Sequence, residues 1–302
     1  MALILTRQDK RHCRTGGRSS GHWRWPILLL CLFLAGCSAT RVVYNQLDWI
    51  LVWQISGYFT LEDEQEDRLE EMVDRNIEWH RYDQLPKYAQ LLREIESDTS
   101  SGVMTVDQME RYYGRFIILW DEFIVQTMPD VTAFFMMLSQ EQVDEFIENL
   151  EESNQELWEE YAGKTPEDRQ KSRQEGAIKG LERVFGRLSG EQKELVRSYQ
   201  SGLHDVSPEW MAARRQWQED FRNLVLERPP EPEFSDRMAR LMLEPNRMDS
   251  PEYRLLVDEN RRMMMAMMAA LSAGLTDKQR KRFSKRLNKL IRNFEILAAK
   301  ET

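Results

Sequence analysis

Past position 37 this 302-residue chain has no cysteine: its three thiols are Cys13, Cys31 and Cys37. Downstream of that point a disulfide and a Cys-based metal site are both excluded. Histidine is nearly as scarce. Only His80 and His204 follow Cys37, and neither completes the Glu-x-x-His pair that a di-iron helical bundle requires. From Cys37 onward there is no G-x-S-x-G, no phosphate-binding glycine-rich loop and no nucleophilic cysteine. No apolar run approaches the ~20 residues of a membrane-spanning helix. No stretch alternates apolar and polar residues as a half-buried strand does. These gaps leave no metal, no cofactor and no catalytic constellation to name, and the reading of function is non-enzymatic.

What is present begins with an address. Arg7, Lys10, Arg11, Arg14, Arg18 and Arg24 form a basic start, and Pro26 to Leu34 (PILLLCLFL) a short apolar run that ends in Leu34-Ala35-Gly36-Cys37. A basic segment, ~7–15 apolar residues and small residues before a cut define a secretory signal peptide. The Leu-Ala-Gly-Cys ending is a lipobox. Residues 1–36 are thus expected to be removed and Cys37 to be acylated, so that lipid holds the chain at a membrane. Position 38 is Ser rather than the Asp that retains lipoproteins at the inner membrane, which points to the periplasmic face of the outer membrane. Cleavage removes six basic residues and one acidic residue from the 42 and 51 of the whole chain. The mature chain keeps 36 and 50, a net charge of −14, which argues against nucleic acid as a partner.

Residues 37–302 read as one all-α domain, a multi-helix bundle or stacked helical array with no β-sheet. Apolar residues recur at three and four, and breakers divide the chain into helices at about 41–57, 61–82, 85–97, 105–127, 130–138, 140–162, 166–187, 190–203, 208–228, 235–243, 251–273 and 277–299. Thr165-Pro166-Glu167, Ser207-Pro208-Glu209 and Ser250-Pro251-Glu252 each offer a capping hydroxyl, a proline where no N–H is needed and an acid at the positive end of the helix dipole. A second start signal occurs as Met104-Thr105-x-x-Gln108, Leu138-Ser139-x-x-Gln142, Leu188-Ser189-x-x-Gln192 and Leu275-Thr276-x-x-Gln279. This is a capping box, in which the hydroxyl bonds the N3 amide and the glutamine reaches back to the cap. Successive copies are 34, 50 and 87 residues apart, so no regular solenoid follows. Three prolines in Glu227 to Glu233 make residues 227–234 the candidate hinge if the domain divides.

Four features were weighed as sites. Arg41 to Phe59 is apolar nearly all round, which suits a core helix or an interfacial one with Trp49 and Trp53 at head-group level. Its single cation, Arg41, favours the core, yet Trp49 and Trp53 are the best candidates for membrane or partner contact. Met263, Met264, Met265, Met267 and Met268 could offer soft ligands to Cu(I), but consecutive residues point around a helix and read as core. The acidic runs Glu62 to Glu71 and Glu141 to Glu160 could hold a carboxylate pair for glycoside hydrolysis; solvated helix faces are the simpler reading. Residues 278–292 carry eight Lys and Arg, expected to pair with acidic helices of the same chain rather than with anionic lipid.

Val43-Tyr44-Asn45-Gln46-Leu47-Asp48-Trp49, Glu78-Trp79-His80-Arg81 and Gln84-Leu85-Pro86-Lys87-Tyr88-Ala89, below the lipobox, resemble a family of Gram-negative lipoproteins classed only as a domain of unknown function. The resemblance implies a helical lipoprotein and brings no activity with it. The Leu-Ser/Thr-x-x-Gln copies are similar to a motif of small periplasmic stress chaperones, helical dimers that shield unfolded clients. Three functions follow as expectations. The first is a lipid-anchored, non-enzymatic role in binding an envelope protein or supporting an assembly. The second is a periplasmic chaperone, and the third a cell-wall glycan hydrolase with paired carboxylates.

Overall fold

A computed structural model describes residues 37–244 and 250–299, and the signal-peptide segment 1–36 lies outside them. The described chain is all-α, without a strand. Its helices are α1 (Cys37–Tyr44), α2 (Leu47–Ser56), α3 (Asp63–Trp79), α4 (Leu85–Ser101), α5 (Val106–Met137), α6 (Gln140–Ala162), α7 (Pro166–Phe185), α8 (Gly190–Gly202), α9 (Ser207–Glu227), α10 (Glu231–Leu243), α11 (Pro251–Ala273) and α12 (Asp277–Ala298). The Thr165 and Ser250 side chains accept from the N–H of Asp168 and Tyr253, as their Pro-Glu contexts predict. Ser207 departs from that scheme: its hydroxyl donates to Asp205 at 2.7 Å, so the aspartate holds this helix start.

Two predicted breaks are absent. Residues 105–127 and 130–138 form one helix, α5, with Pro129 inside it. Proline withholds the N–H that the Val125 carbonyl needs. Val125 is exposed, so water can take the donor's place. One turn earlier, the Thr127 hydroxyl donates to the Phe123 and Ile124 carbonyls at 3.0 and 3.2 Å. Just past the proline, Asp130 accepts from Arg75 and Asn76 of α3, both at 2.5 Å, which fixes the second half of α5. The second absent break lies between α3 and α4, which a π-helical turn over His80–Gln84 connects. Pro86 follows in the first turn of α4. It cannot donate to the Tyr82 carbonyl, and the wider turn absorbs the missing bond without ending the helix.

The chain forms two compact units, and each is composed of three separated segments. The first takes residues up to His80, Glu122–Glu160 and Met211 to the end of α10; the second takes Arg81–Asp121, Tyr161–Trp210 and residues from Ser250 on. The candidate hinge at 227–234 joins α9 to α10 inside the first unit. That unit has an aromatic centre. Phe59 stacks on Phe146 at 4.9 Å and meets Phe134 edge-on at 5.3 Å, while Phe135 meets Phe221 edge-on at 5.0 Å. The second unit is aliphatic and methionine-rich: Ile178, Val196 and Met267 form one cluster, and Phe185, Leu188, Leu271 and Leu275 another. Met267 is fully buried there, as the core reading of the methionine run expects.

The same polar joint closes a pair of helical hairpins in each unit. In the first, the α2–α3 turn meets the α5–α6 turn through Gln65 and Gln142. Each Nε2 donates to the other's Oε1, at 3.0 and 2.6 Å. Each also donates to a carbonyl ahead of the other's helix: Gln65 to Met137 at 3.1 Å and Gln142 to Thr60 at 2.7 Å. Each Oε1 takes its own cap's N–H, from Glu62 at 3.0 Å and from Ser139 at 2.8 Å. In the second unit Gln192 and Gln279 repeat this between the α7–α8 and α11–α12 turns. Their amides exchange bonds at 2.9 Å and reach the carbonyls of Gly274 at 2.8 Å and Arg187 at 3.1 Å. Gln108 completes a capping box at the start of α5 but turns its amide to Asp98, at 2.8 Å.

Gln192 and Gln279 are buried, so removing one strands the partner's donors and a carbonyl away from water. Gln192→Ala and Gln279→Ala are each expected to cost about 2 kcal/mol in urea denaturation. The double variant should cost clearly less than the sum, because both remove one shared joint.

Candidate functional site

The segment that follows Cys37 is fixed by a buried pair. Tyr44 ends α1, and its hydroxyl is hydrogen-bonded to Nδ1 of His80 at 2.8 Å, with the rings stacked at 5.9 Å. Phe123 meets the imidazole edge-on at 6.1 Å. Burial lowers the His80 pKa to about 4, so at neutral pH the ring is uncharged. His204 is engaged elsewhere: its Nε2 lies 2.8 Å from Glu259, and its backbone exchanges bonds with Asn260. Both histidines therefore serve local packing and turns, and no group of three or more metal-ligating side chains gathers among the described residues. Cys37 opens α1; the acylation expected there concerns a side chain that lies outside the described residues.

The core reading of Arg41 to Phe59 holds only in part: Tyr44, Val52, Tyr58 and Phe59 are buried, and the tryptophans are not. Of α2, only Val52 is buried. Trp49 is 64 % exposed and Trp53 53 % exposed, and the two indoles stack on one another at 6.2 Å with 13° between their planes. One turn apart on the same helix, they form a single flat apolar surface. Val42 of α1 is exposed as well. The helix is apolar on more sides than its packing can cover, which left the tryptophans outside while Tyr58 and Phe59, just beyond it, are buried. No described helix is long and apolar enough to cross a membrane.

Other exposed apolar residues escaped the sequence reading. Tyr113, Phe116 and Ile118 of α5 and Leu255 of α11 face solvent. The signal was there: Phe116-Ile117-Ile118-Leu119-Trp120 is apolar on every side of one helical turn, more than one packing face can take.

The glutamine motif is spent within the fold, on caps and hairpin joints, so its amides are not offered to a client. Of the carboxylates whose pKa is shifted, only Glu141 belongs to the acidic runs. Hydrogen bonds lower the pKa of Glu96 (from Ser284), of Asp98 (from Tyr112), of Glu141 (from its own backbone) and of Glu182 (from Lys193). Asp205 is also lowered, since bonds from Ser207 and Arg169 outweigh its desolvation. A glycosidase acid needs the opposite shift. The expected internal pairing of the basic last helix fails too. Lys278, Lys281, Arg282, Lys285 and Arg292 make no ion pair among the described residues, and the one α12 side chain that does is the acid Glu295, with Arg93.

Residues 57–254 match the model of DUF6279, a family of unknown function, and the chain belongs to that family. No curated protein and no solved structure matches it. The expectation of a family without assigned function is met. Glu78–Arg81 and Gln84–Ala89 lie inside the matched span, whereas Val43–Trp49, Trp53 and Cys37 precede it.

The buried His80 sets a pH dependence. A histidine with a lowered folded-state pKa resists protonation that the unfolded chain accepts. Stability is therefore lost as pH falls from its ordinary value of 6.5 toward about 4 and levels off below. Between pH 7 and pH 5 the loss assigned to His80 is about 2 kcal/mol. Urea denaturation of His80→Phe should show that increment removed.

Proposed function

We propose that this member of the family is an envelope lipoprotein, acylated on Cys37 and held at the periplasmic face of the outer membrane, with a non-enzymatic role in binding another envelope protein or supporting an assembly. The observation that carries the reading is the exposed Trp49–Trp53 stack on the second helix after Cys37. Two large aromatics facing solvent give up apolar burial that most helices secure, and aromatic anchors of this kind dominate protein contacts. A position shortly after a lipid anchor on Cys37 supports contact with the bilayer surface or with a membrane-associated partner. The chaperone alternative loses its motif to the hairpin joints, and the lowered pKa of Glu96 and Asp98 is the opposite of what the acid of the hydrolase alternative needs.

The anchor and the contact surface are tested separately. Cys37→Ala should abolish labelling with palmitate and shift the chain out of the membrane fraction; full retention would count against lipid anchoring. In-cell crosslinking of the full-length chain, followed by mass spectrometry, should recover one or a few stoichiometric envelope proteins. Trp49→Ala with Trp53→Ala should remove them while leaving membrane fractionation intact. A broad set of unrelated periplasmic proteins would favour the chaperone instead, and an unchanged set in the tryptophan variant would take the contact away from α2.

A further inference from the structure

The two hairpin joints define equivalent helices: α6 starts at the joint holding Gln142, and α12 at the joint holding Gln279. Counted from those glutamines, the inward faces agree at two apolar positions, while Val143 and Ile147 stand opposite Arg280 and Ser284. Phe146 stands where Phe283 does, and Leu150 where Leu287 does. The outward faces are opposite in sign at the same positions. Glu141 stands opposite in register to Lys278, Asp144 to Lys281, Glu145 to Arg282, Glu148 to Lys285 and Glu152 to Lys289. Farther along, α6 adds exposed Glu151, Glu156 and Glu159, and α12 adds exposed Arg292.

Of these side chains Glu145 is taken up by Thr60, whose N–H and hydroxyl donate to it at 2.7 and 3.0 Å. Glu141, Asp144, Glu148, Glu151, Glu156 and Glu159 make no ion pair among the described residues, and neither do Lys278, Lys281, Arg282, Lys285 and Arg292. Glu141, Asp144, Glu148 and Glu151 on α6, and Lys278, Lys281 and Lys285 on α12, recur at three and four and so share one stripe of their helix. The basic line from Lys278 to Arg292 runs ~21 Å and the acidic line from Glu141 to Glu159 ~27 Å, at ~1.5 Å per residue. The apolar side of α12 is largely taken up by the core, where Leu287, Leu290, Ile291 and Leu297 are buried, while Ile296 is exposed. A basic amphipathic helix that enters a bilayer needs a free apolar face, and one exposed isoleucine does not make one.

We propose that this protein self-associates by laying the acidic face of α6 of one copy along the basic face of α12 of a second copy. The contact is heterologous within each helix pair. It closes as a two-fold dimer where both pairs form at once, and extends as a chain of copies where only one does. Complementary lines of this kind set orientation and partner choice, and their exposed ion pairs weaken with salt. The inference does not rest on the lipid anchor or on the tryptophan surface.

The test uses the full-length chain in detergent, mixed from isotopically heavy and light preparations, with a carbodiimide that joins carboxylates to amines at zero length. Crosslinked peptides between residues 140–162 and 277–298 with one heavy and one light half are expected, and they should fade in high salt. A variant carrying Glu141→Lys, Asp144→Lys and Glu148→Lys should lose them at least about tenfold, with its helical circular dichroism unchanged. Adding Lys278→Glu, Lys281→Glu and Lys285→Glu to that variant should restore association, an outcome that misfolding cannot imitate. Crosslinks confined to one isotope, or association untouched by the triple reversal, would overturn the proposal. So would a finding that the basic face is occupied instead by phosphatidylglycerol vesicles, with no mixed-isotope product.

Discussion

The glutamine pair at the hairpin turns is the constraint on which both units depend. A primary amide carries two donors and a carbonyl with two acceptor sites, and in each joint every one of them is used. The carbonyl takes the cap N–H of its own helix and one N–H of the partner amide; the nitrogen gives one bond to the partner and one to the turn ahead of the partner's helix. Glutamate has no donor, and asparagine is a methylene shorter. Two helix starts, two turns and four helices are therefore positioned by two side chains. The hydrophobic layers can differ, aromatic around Phe146 and aliphatic around Met267, because the polar joint sets the register before packing refines it.

Much of this was legible in the chain, and what was not has physical causes. The capping boxes at Ser139, Ser189 and Thr276 follow from local chemistry, since hydroxyl and glutamine act within one turn. Their pairing did not, because it depends on partners 77 and 87 residues apart, while the spacing between successive copies mixes members of different joints. The copy at Leu61–Gln65 was missed because Glu62 replaces the hydroxyl residue, although Gln65 does the same work. Pro86 and Pro129 read as helix ends by local rules. In the fold a π turn and an exposed carbonyl compensate for the lost bonds, and the helices continue.

The surfaces were less legible than the interior. Apolar composition says that a residue gains from burial, not that a neighbour exists to bury it. Val52 found one and Trp49 and Trp53 did not, within a single helix of the same character. Tyr113 and Phe116 show the same shortfall on α5. In an acidic chain, the internal pairing expected of the basic last helix was the economical assumption. It failed because the acids nearest to the cations along their own helix are few.

That last failure says something about what shapes the outer faces of α6 and α12. The fold fixes the cap, the joint and two inward residues of both helices, Phe146 with Phe283 and Leu150 with Leu287, and these agree between the two. Outward positions are under no such demand. Solubility asks only that they be charged, with either sign and in any order. Random divergence between two equivalent helices would leave the signs mixed. Instead the positions one before and two, three, six and ten after the joint glutamine are acidic on α6 and basic on α12, although Glu151, Glu156 and Glu159 stand opposite Asn288, Asn293 and Ile296, and Arg292 opposite Gln155. A solvated face does not require opposite sign in register. A surface that meets its own complement does, because each cation then finds a carboxylate at the same pitch along the helix.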